Sequence, residues 1–228
     1  TPNSPTTTAD LVCSITTPST DSDNDTITYA YQWYKGGVLQ AALTTNTVAA
    51  ANTGKGEVWK CAVTPGDGTA SGSSAEDQVT IQNSVPAPPM VDVTPNSPTT
   101  ADDLVCNIVV QSVDAEGDAI TYTYQWYKEG ELQSSLTTNT VSAAGTAKGQ
   151  VLKCLVTPSD GVAIGTSGED EVTIQNSAPT APVVAVTPDS PRSGDDLVCG
   201  ITTQSADADG DAVTYTYQWY RDGELQLA

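Results

Sequence analysis

Apolar and polar positions alternate along several short stretches of this chain. In "DLVCSIT" Leu11, Cys13 and Ile15 share one side. "TITYAYQWY" sets Ile27, Tyr29, Tyr31 and Trp33 on one face and Thr28, Ala30, Gln32 and Tyr34 on the other. "EVWKCAVTP" groups Trp59, Cys61 and Val63, and "EDQVTIQN" adds Val79 and Ile81. A period of two marks half-buried strands of antiparallel sheets. The stretches "KGGV" (35–38), "TGKG" (53–56) and "GDGTASG" (66–72) carry the glycines that turns require. No segment sustains a helical period, so the predicted class is all-β.

The pattern recurs. "LVC" stands at 11–13, 104–106 and 197–199, "YQWY" starts at 31, 124 and 217, and "TPNSP" at 1 and 94 becomes "TPDSP" at 187. Every step is 93 residues, with no insertion or deletion. That period is too long for a solenoid unit and suits a small β-sandwich. It divides the chain into repeats at 1–84, 85–177 and 178–228, the first with an incomplete first strand and the third carrying early strands only. The junctions "SVPAPPMV" (84–91) and "SAPTAPVV" (177–184) are Pro-rich and nearly uncharged, which favours extended, semi-rigid linkers. The opening "TPNSPTTTAD" has no initiator Met and no signal peptide, and reads as an internal cut in a longer or processed protein.

The five cysteines follow the same step: Cys13, Cys106 and Cys199 correspond, as do Cys61 and Cys154. The simplest pairing lies within repeats, Cys13 with Cys61 and Cys106 with Cys154, leaving Cys199 odd. Five reduced, buried thiols are the alternative. Paired cysteines imply an oxidising compartment and hence the cell exterior.

A cysteine on an early strand, a tryptophan on the next long strand and a cysteine on a late strand is the immunoglobulin arrangement. Here the sets are Cys13, Trp33, Cys61; Cys106, Trp126, Cys154; and Cys199 with Trp219. The repeats resemble the tandem immunoglobulin-like modules of bacterial and archaeal extracellular surface and filament proteins. That resemblance implies tandem antiparallel β-sandwiches. One departure is visible: Trp59 and Leu152 stand where antibody-like domains carry a tyrosine two residues before the second cysteine, so no tyrosine corner is expected.

Acidic residues outnumber basic ones 28 to 8, for a net charge of −20. Nucleic acid and anionic membranes are poor partners for such a surface, and divalent cations are natural ones. The acids cluster before each Trp-bearing strand: Asp21, Asp23 and Asp25; Asp114, Glu116 and Asp118; Asp207, Asp209 and Asp211. In an immunoglobulin-like fold the loop after the second cysteine lies at the same pole, bringing Asp67 and Asp160 near as fourth carboxylates. With no Lys or Arg in the cluster, a hard cation is the expected counter-charge. Ca²⁺ suits it, taking six to eight oxygen ligands in flexible geometry. Asp-rich turns also form without any ion. The spacing is not that of an EF-hand: the Gly of "DADGD" falls at the fourth loop position.

Histidine is absent, which removes the commonest general base and transition-metal ligand. No phosphate-cradling glycine motif occurs, and enzyme sites rarely recur once per repeat. The chain therefore reads as non-catalytic. Tyr34, Tyr127 and Tyr220 should face away from the core as sheet surface. The expected role is a structural segment of an extracellular stalk, filament or surface fibre. Its partners would be neighbouring repeats of the same chain or identical chains in a fibre, with no membrane insertion. An adhesin or carbohydrate-binding module is the alternative.

Overall fold

The computed structural model describes residues 2–226. In the first repeat the strands are β1 (Leu11–Val12), β2 (Thr28–Lys35), β3 (Val38–Leu39), β4 (Thr47–Val48), β5 (Val58–Gly66) and β6 (Ala75–Thr80). The second contributes β7 (Met90–Thr94), β8 (Leu104–Val110), β9 (Thr121–Lys128), β10 (Glu131–Gln133), β11 (Thr140–Val141), β12 (Val151–Ser159) and β13 (Gly168–Thr173). The third holds β14 (Val183–Thr187), β15 (Val198–Thr203), β16 (Trp219–Arg221) and β17 (Glu224–Gln226). Single 3-10 turns at Ala50–Asn52 and Ala143–Gly145 are the helical elements among the described residues.

Contacts divide the chain into two compact units. One holds the described residues up to Met90 together with Val110–Thr123 and Val156–Gly168. The other holds Val91–Val109, Tyr124–Leu155 and the described residues from Glu169 onward. The acidic loop of the second repeat thus packs with the body of the first.

In the first unit an antiparallel sheet of order β3-β2-β5-β6 faces the β1-β4 pair. The register sets Trp33 opposite Cys61 and Leu11 opposite Val48. Alternation delivers Leu11, Trp33, Val48, Trp59, Cys61 and Ile81 to one core. Trp33 and Trp59 meet edge to face, centroids 6.4 Å apart. Each indole finds an acceptor: Trp33 Nε1 donates to Thr45 O and Trp59 Nε1 to Glu57 Oε2, both at 2.9 Å. A disulfide joins Cys13 to Cys61.

The second repeat has sheets of order β11-β8-β7 and β10-β9-β12-β13. Its core, centred on Trp126, is drier: Val93, Leu104, Cys106, Trp126, Leu152 and Cys154 are all fully buried. Leu152 fills the place of Trp59, and a second disulfide joins Cys106 to Cys154. The fold is thus all-β, built of immunoglobulin-like antiparallel β-sandwiches, with both disulfides within repeats. Cys199 is a half-buried free thiol.

Two strands are shorter than the alternation predicts. "DLVCSIT" is strand over Leu11–Val12 only, whereas its counterpart runs the length of β8. In the third repeat 213–218 is not strand, and Trp219 is 39% exposed. A strand needs ladder partners for its N–H and C=O groups. No described strand of the third repeat lies along 213–218, as β12 lies along β9.

Candidate metal centre

Each acidic loop is built on one device. The first Asp turns a carboxylate oxygen onto its own loop and accepts two backbone N–H groups, a local motif that Asp favours. Asp114 Oδ1 accepts from Glu116 N and Asp118 N, both at 3.0 Å. Asp207 Oδ1 does so from Asp209 N at 2.9 Å and Asp211 N at 3.0 Å, and Asp21 Oδ1 from Asp23 N at 2.8 Å and Asp25 N at 3.2 Å. The fourth loop position takes the left-handed conformation, with φ of 79° at Gly117, 75° at Gly210 and 63° at Asn24. Gly and Asn are the residues that tolerate it.

This turn gathers carboxylates. One oxygen each from Asp114, Glu116 and Asp118 lies within 4.8 Å of the others, and the same holds for Asp207, Asp209 and Asp211; both sets could hold a metal ion. Asp21, Asp23 and Asp25 share the turn but do not form such a group, and Asp23 and Asp25 are exposed. Asp67 and Asp160 also stand outside the groups. Asp67 Oδ1 accepts from Thr69 N and Ala70 N, both at 2.7 Å, and Asp160 Oδ1 from Val162 N and Ala163 N at 2.7 and 2.6 Å. Those bonds hold both carboxyls below their ordinary pKa. Asp160 Oδ2 also accepts from Asn83 Nδ2 at 2.7 Å.

The preceding repeat grips each gathered loop. Glu116 accepts from Ser84 N at 3.2 Å and from the Thr7 hydroxyl, while Lys55 pairs with Asp118. One repeat on, Ser177 N donates to Asp209 Oδ2 at 2.7 Å and Lys148 Nζ to Asp211 Oδ2 at 2.5 Å. Burial opposes the charged form of Glu116, but the Thr7 and Ser84 hydrogen bonds outweigh it and hold the pKa below its ordinary value. A Thr100 hydrogen bond does the same for Asp209 despite desolvation. The bond to Asp118 raises the Lys55 pKa.

These lysines are the functional residues that sequence reasoning missed. Lys55 lies 63 residues from Asp118 and is not part of the acidic stretch. The signal was present: Lys55 and Lys148 are one repeat apart, as are Asp118 and Asp211.

The lysine does not complete the site. Three carboxylates and one ammonium leave two negative charges. Asp114 is 7% exposed, and its Oδ2 is buried with no hydrogen-bond partner; in the other cluster the buried oxygen without a partner is Oδ1 of Asp209, the counterpart of Glu116. A buried carboxylate oxygen without a donor is costly. An all-oxygen set with two uncompensated charges fits a hard divalent cation rather than zinc or copper.

Lysines lie over two of the three outward tyrosines, Tyr34 and Tyr127, whereas Tyr220 is 60% exposed. Lys60 Nζ lies 5.0 Å from the Tyr34 ring centroid and Lys153 Nζ 5.5 Å from that of Tyr127.

No family model and no curated protein matches the sequence. Among solved structures the chain is similar to a selenomethionine-substituted chicken interferon gamma receptor alpha chain. The identity is 12%, the TM-score 0.37, and the match covers 70% of this chain and 89% of that one. It is also similar to the FN1–FN3 domains of chicken CNTN1, at 12% identity and a TM-score of 0.30, covering 71% of this chain and 62% of that one. The chain therefore spans less than two thirds of the CNTN1 structure. Likenesses of this size say nothing of what the chain binds, and the fold stands on its own strands and disulfides. Two sandwiches each pinned by a disulfide fit an oxidising, extracellular setting. No helix among the described residues is long and apolar enough to cross a membrane.

Proposed function

We propose that this chain is a non-catalytic structural segment of an extracellular stalk or fibre, and that Ca²⁺ stiffens the joints between its repeats. The observation that carries the reading is the buried Asp114 Oδ2, which has no protein partner within a carboxylate trio already gripped by Thr7, Lys55 and Ser84 of the preceding repeat. Asp114, Glu116 and Asp118 would hold one ion, and Asp207, Asp209 and Asp211 a second. Asp21, Asp23 and Asp25 share the turn without the grip, and bind more weakly. Asp67 and Asp160 brace their own loops. A cation here neutralises the two residual charges and ties the loop of one repeat to the end of another. Neighbouring repeats are thus the principal partners of each sandwich. The lysines over Tyr34 and Tyr127 favour this role over sugar stacking, which needs open ring faces.

Isothermal titration calorimetry of the whole chain with CaCl₂, beside melting in EGTA and in millimolar Ca²⁺, tests the reading. Two tight sites and a raised melting temperature are expected. An identical melting temperature in the two buffers, with no binding heat, refutes the metal reading.

A further inference from the structure

The first acidic loop departs from the other two at two positions that its metal-binding pattern does not use. All three loops keep the aspartate that accepts two backbone N–H groups: Asp21, Asp114 and Asp207. At the fourth loop position Asn24 stands where the others have Gly117 and Gly210, and two residues on Thr26 stands where they have Ala119 and Ala212. The left-handed turn survives the first exchange, with φ of 63° at Asn24, because Asn tolerates that conformation. The hydrogen bonds of the turn do not involve Thr26. Together the two exchanges spell Asn24-Asp25-Thr26. Of the nine asparagines in the chain, Asn24 alone has Ser or Thr two residues on.

These side chains stand in the open. Asn24, Asp25 and Thr26 are exposed, and among the described residues neither the Asn24 amide nor the Thr26 hydroxyl has a hydrogen-bond partner. The place also stays open in a loop that a preceding repeat grips. Gly117 and Ala119 are exposed even though Lys55 holds Asp118 and Ser84 holds Glu116. A Cβ at Gly117 or at Gly210 would meet nothing within 4 Å. A side chain at the fourth position thus starts into open space, with or without the grip.

We propose that Asn24 is an acceptor site for an N-linked oligosaccharide. The triplet Asn-x-Ser/Thr, with x other than Pro, is what oligosaccharyl transfer reads, on surface loops of secreted proteins. The Cys13–Cys61 and Cys106–Cys154 disulfides fit that setting. The donor is an oligosaccharide carried on a lipid diphosphate. Asn24 Nδ2 gives up one proton and bonds to the anomeric carbon of the first sugar. The bond from that carbon to the diphosphate oxygen breaks, and the lipid diphosphate leaves with the electron pair. Nothing is oxidised or reduced. The Thr26 hydroxyl is the group by which the transferase recognises the triplet. The site does not draw on the carboxylates, so it stands or falls apart from the Ca²⁺ reading.

The test uses the whole chain, purified without glycan and with both disulfides formed. It is incubated with an oligosaccharyltransferase that reads Asn-x-Ser/Thr and with a lipid-diphosphate-linked oligosaccharide. Intact mass and peptide mapping are the readouts. Addition of a single glycan, mapped to Asn24, is expected. Asn24→Gln and Thr26→Ala should each abolish the addition, and Thr26→Ser should retain it. Asn24→Gly, which restores the residue of the other two loops, should abolish it with no loss of melting temperature. No addition to the folded chain, addition only after the disulfides are reduced and the chain unfolded, or addition that survives Asn24→Gln overturns the proposal.

Discussion

Replacing Asp114 by Asn should stabilise the protein without Ca²⁺ and remove one Ca²⁺ site. The reasoning rests on the oxygen without a donor. In the Asp114→Asn variant the retained Oδ1 still accepts from Glu116 N and Asp118 N, so the turn is preserved. The new amide nitrogen would take the place of Oδ2, and the substitution removes one negative charge from the carboxylate trio. The grouped oxygens lie within 4.8 Å of one another, and at that outer limit two unit charges repel by about 3 kcal/mol for an effective dielectric of 20. Solvent at the half-buried Glu116 and Asp118, together with Lys55, reduces the net gain to roughly 1–2 kcal/mol. With Ca²⁺ at a hundred times Kd the wild-type site instead contributes about 2.7 kcal/mol, or a rise of roughly 5–10 °C in melting temperature. The variant forgoes that rise. The assay is differential scanning calorimetry of both proteins in EGTA and in Ca²⁺, with calorimetric site counting. Asp114→Asn should melt higher than wild type in EGTA, lower in Ca²⁺, and bind one ion fewer. A variant that is less stable in EGTA yet retains the full Ca²⁺ increment refutes the reasoning.

Four further outcomes follow from the same geometry. Lys55→Met should weaken the joint in EGTA and tighten Ca²⁺ binding several-fold, since the ammonium competes for Asp118; calorimetric titration reads both effects. Replacing Cys106 and Cys154 by Ala opens a cross-link over 48 residues and should cost about 4 kcal/mol, read from urea midpoints. Gly117→Ala forces a side chain into a φ of 79° and should cost about 1–2 kcal/mol, whereas Gly117→Asn should cost less. The Glu116 pKa is depressed on folding, so its contribution is present above its unfolded value and lost as pH falls through the folded one. Urea midpoints in EGTA should show the advantage of wild type over Glu116→Gln at pH 6 fading below the ordinary carboxyl value of 4.5.

Alternation, turn glycines and the 93-residue step disclosed the sandwiches because each is a local or strictly periodic signal. The pairs Cys13–Cys61 and Cys106–Cys154 followed from the same step. What stayed hidden depends on contacts between distant segments. Lys55 reaches Asp118, and Ser84 reaches Glu116, only when the end of one repeat packs on the loop of the next. Asp160 sits at the same pole as Asp114, but its carboxylate is engaged by its own turn and by Asn83, which residue type alone does not reveal. Trp219 has the same neighbours in sequence as Trp126, yet one is 39% exposed and the other 0%. Burial of that indole depends on the strands that cover it.

The lysine grip has a consequence for how such a chain varies in length. Lys55 and Ser84 recur as Lys148 and Ser177, and the residues they hold, Asp118 and Glu116, recur as Asp211 and Asp209. The first two repeats therefore each carry a socket at one end, and the second and third each carry the matching plug. A gene that gains or loses one whole repeat by unequal recombination leaves every remaining socket facing a compatible plug. Length can drift without any joint having to be reinvented, whereas an insertion of half a repeat would leave one connector unmatched.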